Sequence, residues 1–314
     1  MKLENTAHFN QIREQNRKII RNLIGKIPGV GKTELADLSG LTFPTVSSVL
    51  KDLVASGEVI ELDGISKGGR PGAIFELNES FQFIVCAYIA DMVLHIRIFD
   101  ACGKQCEQQQ KTLFSSIECM QFIDIFKEIK EKYSKISVIS LGIPGVVLDG
   151  VIKHLPGIPT LDEINIKKCL EEALDVTVFV ENDTNTIVLA EKNKYKDIAH
   201  IIINHCGIGT GILLNGQLIR GAHGCAGELE YIFDEKAESL EVLTQAITAI
   251  TCVIDIADIS ISGITLDESM LSNLREKLMK RLPHDRIPEI HVISSNDLYY
   301  QGLYNIAFEY CKSC

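Results

Sequence analysis

No stretch of this 314-residue chain is both long and apolar. The longest uninterrupted apolar run, Phe83 to Ala90, falls far short of the ~20 residues a membrane helix needs. The opening MKLENTAHFN is polar and lacks the basic-then-apolar layout of a secretion signal. A cytoplasmic protein with no membrane partner is therefore expected. The ten cysteines form no paired framework. Cys86, Cys206 and Cys252 lie in apolar runs, where a free thiol behaves as a small hydrophobe. Cys311 and Cys314 form a CxxC, and Cys102 and Cys106 a CxxxC, but neither has a second half at metal-ligand spacing. Reduced structural thiols are the expectation. Positive charge is scarce too: 31 Lys and Arg stand against 42 Asp and Glu. A net charge of −11 argues against nucleic-acid binding until its distribution is read.

That distribution is uneven. Residues 1–72 hold ten Lys/Arg and eight Asp/Glu, a net of +2, and the remainder holds 21 against 34, a net of −13. An acidic body would be repelled by phosphates while a basic head docks on them. Length allows two or three domains, and 46% apolar residues allow real cores.

The head has a pattern of its own. Asn10 to Lys26 reads as an amphipathic helix with Ile12, Ile19, Ile20, Leu23 and Ile24 apolar and Arg13, Arg17, Lys18 and Arg21 outward. Pro28-Gly29 stops it. Lys32 to Ser39 is a second helix, Gly40 suits the left-handed residue of a tight turn, and Thr42 caps a third helix to about Ser56. Pro44 is tolerated in its first turn. Val46, Val49, Leu50 and Leu53 face inward, while Thr45, Ser47, Ser48 and Lys51 face out, where short hydroxyls and a lysine can reach base edges and phosphates. Ala36, Gly40 and Val46 carry helix-turn-helix spacing. Glu58–Leu62 and Ala73–Leu77 read as strands flanking a glycine-rich tip with Lys67 and Arg70, a wing for a minor groove. A three-helix module used only for dimer contact is the competing reading.

Beyond Gln82, strands and helices alternate, which implies an α/β body. Strands are expected at 81–90, 93–99, 136–141, 176–180, 199–204 and 211–214, and helices at 117–133, 183–191, 239–256 and 268–281. Asn215-Gly216 is a type I′ hairpin signal. Asn182 and Asp183 at a strand end offer a carboxamide and a carboxylate, donor plus acceptor for a vicinal diol; they equally suit the cap of the helix that follows.

Several segments together carry a resemblance: Gly142-Ile-Pro-Gly-Val146, Glu181-Asn-Asp-Thr-Asn185, Gly207-Ile-Gly-Thr-Gly211, Asn215-Gly216 and Arg220-Gly-Ala-His-Gly-Cys-Ala-Gly-Glu228. In that order they resemble the ROK family of repressors and sugar kinases, within the actin-like ATPase superfamily. The head with its Gly69-Arg70-Pro71 wing resembles the repressor branch, which includes xylose and N-acetylglucosamine repressors. The resemblance implies an N-terminal winged helix over residues 1–78, followed by a two-lobed, ribonuclease H-like α/β body. The lobes would be 79–192, with the helix 300–314 packing back on the first, and 193–299. It implies sugar-binding roles for Asn182, Asp183 and Glu228, and puts Tyr231 where kinases carry a histidine.

The same resemblance implies losses. The family's zinc motif has no cysteines in the corresponding stretch 233–243, and His223 and Cys225 lack partners, so no metal is expected. Tyr88 and Ala90 replace the aspartate and first glycine of the D-x-G-G-T phosphate hairpin. His205-Cys206 opens the second phosphate loop, and Ser262 replaces one of two adenosine-side glycines. Side chains at glycine sites block close approach of phosphate to backbone, so neither nucleotide cofactor nor kinase activity is expected. The implied function is a repressor that binds double-stranded operator DNA as a homodimer or dimer of dimers and responds to a sugar held between the lobes. A kinase with a relaxed ATP site, or a regulator whose body senses nothing, are the alternatives.

Overall fold

The computed structural model describes residues 2–64, 72–204, 207–233, 238–294 and 296–313. The chain divides into two compact units, residues 1–84 with 98–107 and residues 85–97 with 108–314.

The head of the first unit is built from α1 (Lys2–Lys26), β1 (Val30–Gly31), α2 (Lys32–Ser39), α3 (Phe43–Ala55), β2 (Val59–Asp63) and β3 (Ala73–Leu77). Helix α1 starts eight residues earlier than its apolar stripe announces. Its first turns are helix-permitting but polar, and periodicity cannot read such a segment. Ile20 and Ile24, one turn apart, share a closed core with Leu35, Leu50, Leu53 and Phe75. The three strands pair antiparallel in the order β1-β3-β2, with Val30 opposite Phe75 and Val59 opposite Leu77. The two-residue β1 was not expected from the sequence; it is too short for any alternation.

The body holds two five-stranded sheets. One runs β10-β7-β4-β5-β6, from β4 (Phe83–Ala90), β5 (Val93–Phe99), β6 (Gln105–Thr112), β7 (Ile136–Ile143) and β10 (Thr177–Asn182). Between these come α4 (Cys119–Lys132), the small hairpin β8 (Val146–Leu148) and β9 (Val151–His154), and α5 (Ile166–Leu174). Helix α6 (Asp183–Ala190) follows β10 directly. The second sheet runs β13-β12-β11-β14-β15. Its strands are β11 (Ile198–Asn204), β12 (Gly207–Leu214), β13 (Gln217–Leu218), β14 (Asp258–Ser262) and β15 (Glu289–Val292). Helices α7 (Ser239–Ile254) and α8 (Glu268–Met279) cover one face of it through Ile259, Ile261, Leu243, Ile247 and Leu274. β11 pairs antiparallel with β12 but parallel with β14. The fold is thus mixed α/β.

The last helix, α9 (Asn296–Ser313), packs on β7 and α6. Gly302 makes this possible: a Cβ there would fall inside the Thr186 carbonyl oxygen. Elements β6, α5, β8, β9, β14 and β15 were missed in the sequence. β6, QCEQQQKT, is polar throughout and lies at a sheet edge, where neither face needs apolar residues. Two segments outside the expected strand ranges are strand. β7 continues through Ile143, and β12 begins at Gly207, with Asn204 opposite Gly207. Among the described residues no helix is long and apolar enough to cross a membrane.

Candidate functional site

In the head, Thr42 caps α3: its Oγ1 accepts the Thr45 N–H at 3.4 Å and meets the Thr45 hydroxyl at 2.8 Å. Gly40 has φ +69°, with nothing near its Cβ position, so the turn needs its conformation and not its size. Val46, Val49, Leu50 and Leu53 are buried. On the other side of α3, Ser48 and Lys51 are exposed and Thr45 and Ser47 half-buried. Lys67 and Arg70 lie outside the described residues. One sequence reading needs correction. Arg17 and Arg21 do not face outward but turn in on the buried Glu58, which Arg17 meets in a short ion pair and Arg21 approaches at 3.6 Å. Ser56 completes the group, taking a bond from Arg17 at 3.0 Å and donating to Glu58 at 3.0 Å. Arg13 pairs with Asp52 at 2.6 Å. A buried carboxylate requires neutralisation, and that need outweighs the apolar periodicity that set these arginines on the solvent side.

In the body, Asn182 and Asp183 sit where β10 becomes α6. Asn182 is the cap of α6, its Oδ1 accepting the Asn185 N–H at 3.0 Å, while its amide donates to the Gly145 carbonyl at 2.8 Å. The capping role is therefore real. Asp183 turns one oxygen to the Thr184 N–H at 2.7 Å and the Thr184 hydroxyl at 3.2 Å. Burial pushes its carboxyl up to about 6, with those hydrogen bonds pulling the other way. Glycines bring the rest of the motif close. Gly209 and Gly211 of β12 admit Thr184, whose Oγ1 and carbonyl oxygen would lie 2.5 and 2.6 Å from added Cβ atoms. Gly227, at φ +92°, seats its loop on the Thr210 carbonyl of the same strand. Glu228 follows it and is half-buried. Tyr231 is 73% exposed.

The positions aligned with the phosphate hairpin are filled. Tyr88 is buried and stacks between His95, at 4.8 Å and 8°, and Tyr299, at 4.4 Å and 14°. Tyr300 meets it edge-on at 5.0 Å and carries Arg97 on its face at 4.0 Å. Burial raises the Tyr299 hydroxyl, reinforced by Asp183, Tyr88 and Asp91. Ser262 is likewise committed: His200, fully buried, bonds Ser260 through Nδ1 and Ser262 through Nε2, both at 2.9 Å. Burial alone drops His200 to about 3, so the ring is neutral. His205-Cys206 lies outside the described residues.

Two participants escaped the sequence reading. Glu181 is buried, its Oε2 holding Arg220 through Nε at 2.9 Å and Nη2 at 2.5 Å. Its Oε1 accepts the Asn182 N–H at 3.1 Å and the Asn185 amide at 2.9 Å. Both belong to quoted motifs, but a pairing across 39 residues leaves no local signal. Among the described residues one group, Asp258, Glu289 and His291, brings three metal-capable donors within 4.8 Å; His291 already bonds Asp258 at 2.8 Å.

The chain matches the family model described as ROK family over residues 92–235. It is 27% identical over 235 residues to the xylose repressor of Bacillus subtilis, covering 70% of this chain and 61% of that protein. The chain spans about 59% of the length of the curated relatives it matches. Among solved structures, a ROK family transcriptional regulator homologous to the Escherichia coli MLC protein superposes with a TM-score of 0.65 at 16% identity, over 94% of this chain and 97% of that one. The ROK hexokinase of Thermus thermophilus superposes at 0.60 and 18% identity, over 74% and 100%. At these identities the two structures speak for the fold.

Proposed function

We propose that this chain, which matches the ROK family model over residues 92–235, is a cytoplasmic, DNA-binding transcriptional regulator of carbohydrate use, a repressor whose body binds a sugar and does not phosphorylate it. The observation that carries this reading is the buried Tyr88 stack. It stands at the aligned phosphate position of a kinase-like body, in a chain that begins with a helix-turn-helix and wing. Phosphoryl transfer rests almost wholly on charge stabilisation of the phosphates. An aromatic side chain in place of the aspartate removes the ligand of the metal that accompanies them. The name of the Bacillus subtilis relative supports a sugar effector and a repressor role.

In this reading α3 enters a major groove with Thr45, Ser47, Ser48 and Lys51, and Lys67 and Arg70 on the wing reach the minor groove. A homodimer or dimer of dimers places two heads on two half-sites. The sugar sits between lobes 79–192 and 193–299, read by Asn182, Asp183, Glu228 and Tyr231. Asn182 retains one carboxamide lone pair and Asp183 one carboxylate oxygen for hydroxyls. The test is a gel shift on the DNA upstream of its own gene, with and without candidate sugars. A shift released by one sugar in the wild type but not in Asp183→Ala is the expected result; no shift on any DNA sinks the reading.

A sugar kinase is the second reading, favoured by one observation: Asp183 near 6 is tuned for a general base at neutral pH. ATP turnover with a sugar panel decides it, and none is expected.

A further inference from the structure

A cavity of roughly 280 Å³ opens beside β10, and Asn182 is not among the residues that line it. Phe179, Val180 and Glu181 of β10 line it, whereas Asn182, at the end of the same strand, turns its side chain to the Asn185 N–H and the Gly145 carbonyl. None of Asn182, Asp183, Glu228 or Tyr231 lines it. Its apolar wall is Leu148, Phe179 and Ile306, and its polar groups are Asp149, Lys167, Glu181 and Arg220.

These polar groups are unequally committed. Glu181 is saturated by Arg220, the Asn182 N–H and the Asn185 amide. Arg220 gives Nε and Nη2 to Glu181, has no further partner among the described residues, and is 51% exposed. The Lys167 ammonium and the Asp149 carboxylate likewise have no partner among the described residues, although the Lys167 backbone N–H bonds Gly150 at 3.3 Å. The free charges cancel, Lys167 against Asp149, as Arg220 and Glu181 cancel each other. What remains are donors and an acceptor beside an apolar wall, with no net attraction for an ion. That combination fits a ring with hydroxyls on its rim and C–H bonds on its face. The volume lies at the small end of ligand cavities, which begin near roughly 300 Å³, so it has room for one ring.

We propose that this cavity is a second small-molecule site, separate from the Asn182/Asp183 site, for a neutral polyhydroxylated ligand the size of one monosaccharide. It does not depend on the regulator reading. Glu181 links the two sites, since the carboxylate that holds Arg220 also holds the first turn of α6.

The chain contains no tryptophan, so Phe179→Trp in the whole chain places a single tryptophan, excited selectively over the tyrosines, on the cavity wall. D-xylose, D-glucose, D-mannose and N-acetyl-D-glucosamine, each to about 10 mM, are the neutral probes, with glucose 6-phosphate as the charged one. At least one neutral sugar is expected to shift the emission. Lys167→Met and Asp149→Asn in that background should each weaken the response about tenfold, the loss of one charged hydrogen bond. Asp183→Asn should leave it intact. Sugar-induced thermal stabilisation of the tryptophan-free chain, weakened by Lys167→Met, guards against a disturbance caused by the indole. No response to any neutral sugar overturns the proposal. So does a response abolished by Asp183→Asn and kept by Lys167→Met, or tighter binding of glucose 6-phosphate than of glucose.

Discussion

Head and body each bury a carboxylate against arginine from about 40 residues away, and the two pairs do different work. In the head, Glu58 meets the half-buried Arg17 and Arg21 and fastens α1 to the start of β2. In the body, Glu181 meets the half-exposed Arg220 and shares its second oxygen with Asn182 and Asn185. The first pair closes a core. The second forms the wall of a cavity and steadies the strand end that carries the candidate ligand residues. A buried carboxylate must be desolvated in both places, but Arg220 is 51% exposed against 26% and 21% for Arg17 and Arg21, so it keeps more hydrogen-bonding capacity toward solvent.

The largest expected effect tests how separately the two regions hold together. Gly302→Ala forces α9 off the Thr186 carbonyl and should cost the body about 3 kcal/mol or more, leaving the head's own thermal transition unmoved. One merged transition, shifted as a whole, would break the comparison. Glu58→Ala should cost the head about 3 kcal/mol, because two arginines lose their buried partner. Arg220→Ala should cost the body less, about 1–2 kcal/mol, since solvent already screens half of that guanidinium. Denaturant midpoints rank the two, and equal losses would contradict the distinction drawn between them.

Asp183 should show the opposite sign. Its carboxyl is raised from 3.8 to about 6, so the folded chain holds a proton that the unfolded chain has released. The contribution of Asp183 to stability is therefore greatest below about pH 4, falls as pH rises to about 6, and is level above. Asp183→Asn removes this penalty and should stabilise the body by up to about 3 kcal/mol at pH 7, with little gain at pH 4. A gain independent of pH would argue against a buried carboxylate. The smallest effect on stability is expected for the exposed Lys51. Lys51→Ala should change unfolding by less than about 0.5 kcal/mol, yet reduce the salt slope of DNA binding by about one.

Much of this was legible from the chain alone, and the reasons are local. Thr42, Pro44, Gly40 and the spacing of Val46, Val49, Leu50 and Leu53 act within one or two turns, so α2, its turn and α3 follow from them. Asn182 and Asp183, read at a strand end before a helix, placed the β10–α6 junction. Reading failed where a partner was distant. Arg17 and Arg21 fit the polar face of α1 by periodicity, and only Glu58 turned them inward. His205 to Gly209 resembles a phosphate loop, but from Gly207 the chain pairs with β11 as strand, and Thr184 takes the space that Gly209 and Gly211 leave.

By itself, then, the sequence determined the helix-turn-helix spacing, the α/β alternation and the presence of a tyrosine at position 88, because capping, periodicity and residue identity are properties of neighbours along the chain. Tertiary structure alone decided that Tyr88 would be sealed between His95 and Tyr299, that Ser262 would belong to His200, and that Glu181 would bind Arg220 beside an open cavity. Those outcomes depend on which buried polar and aromatic groups meet, and burial is settled only when strands and helices far apart in sequence pack together.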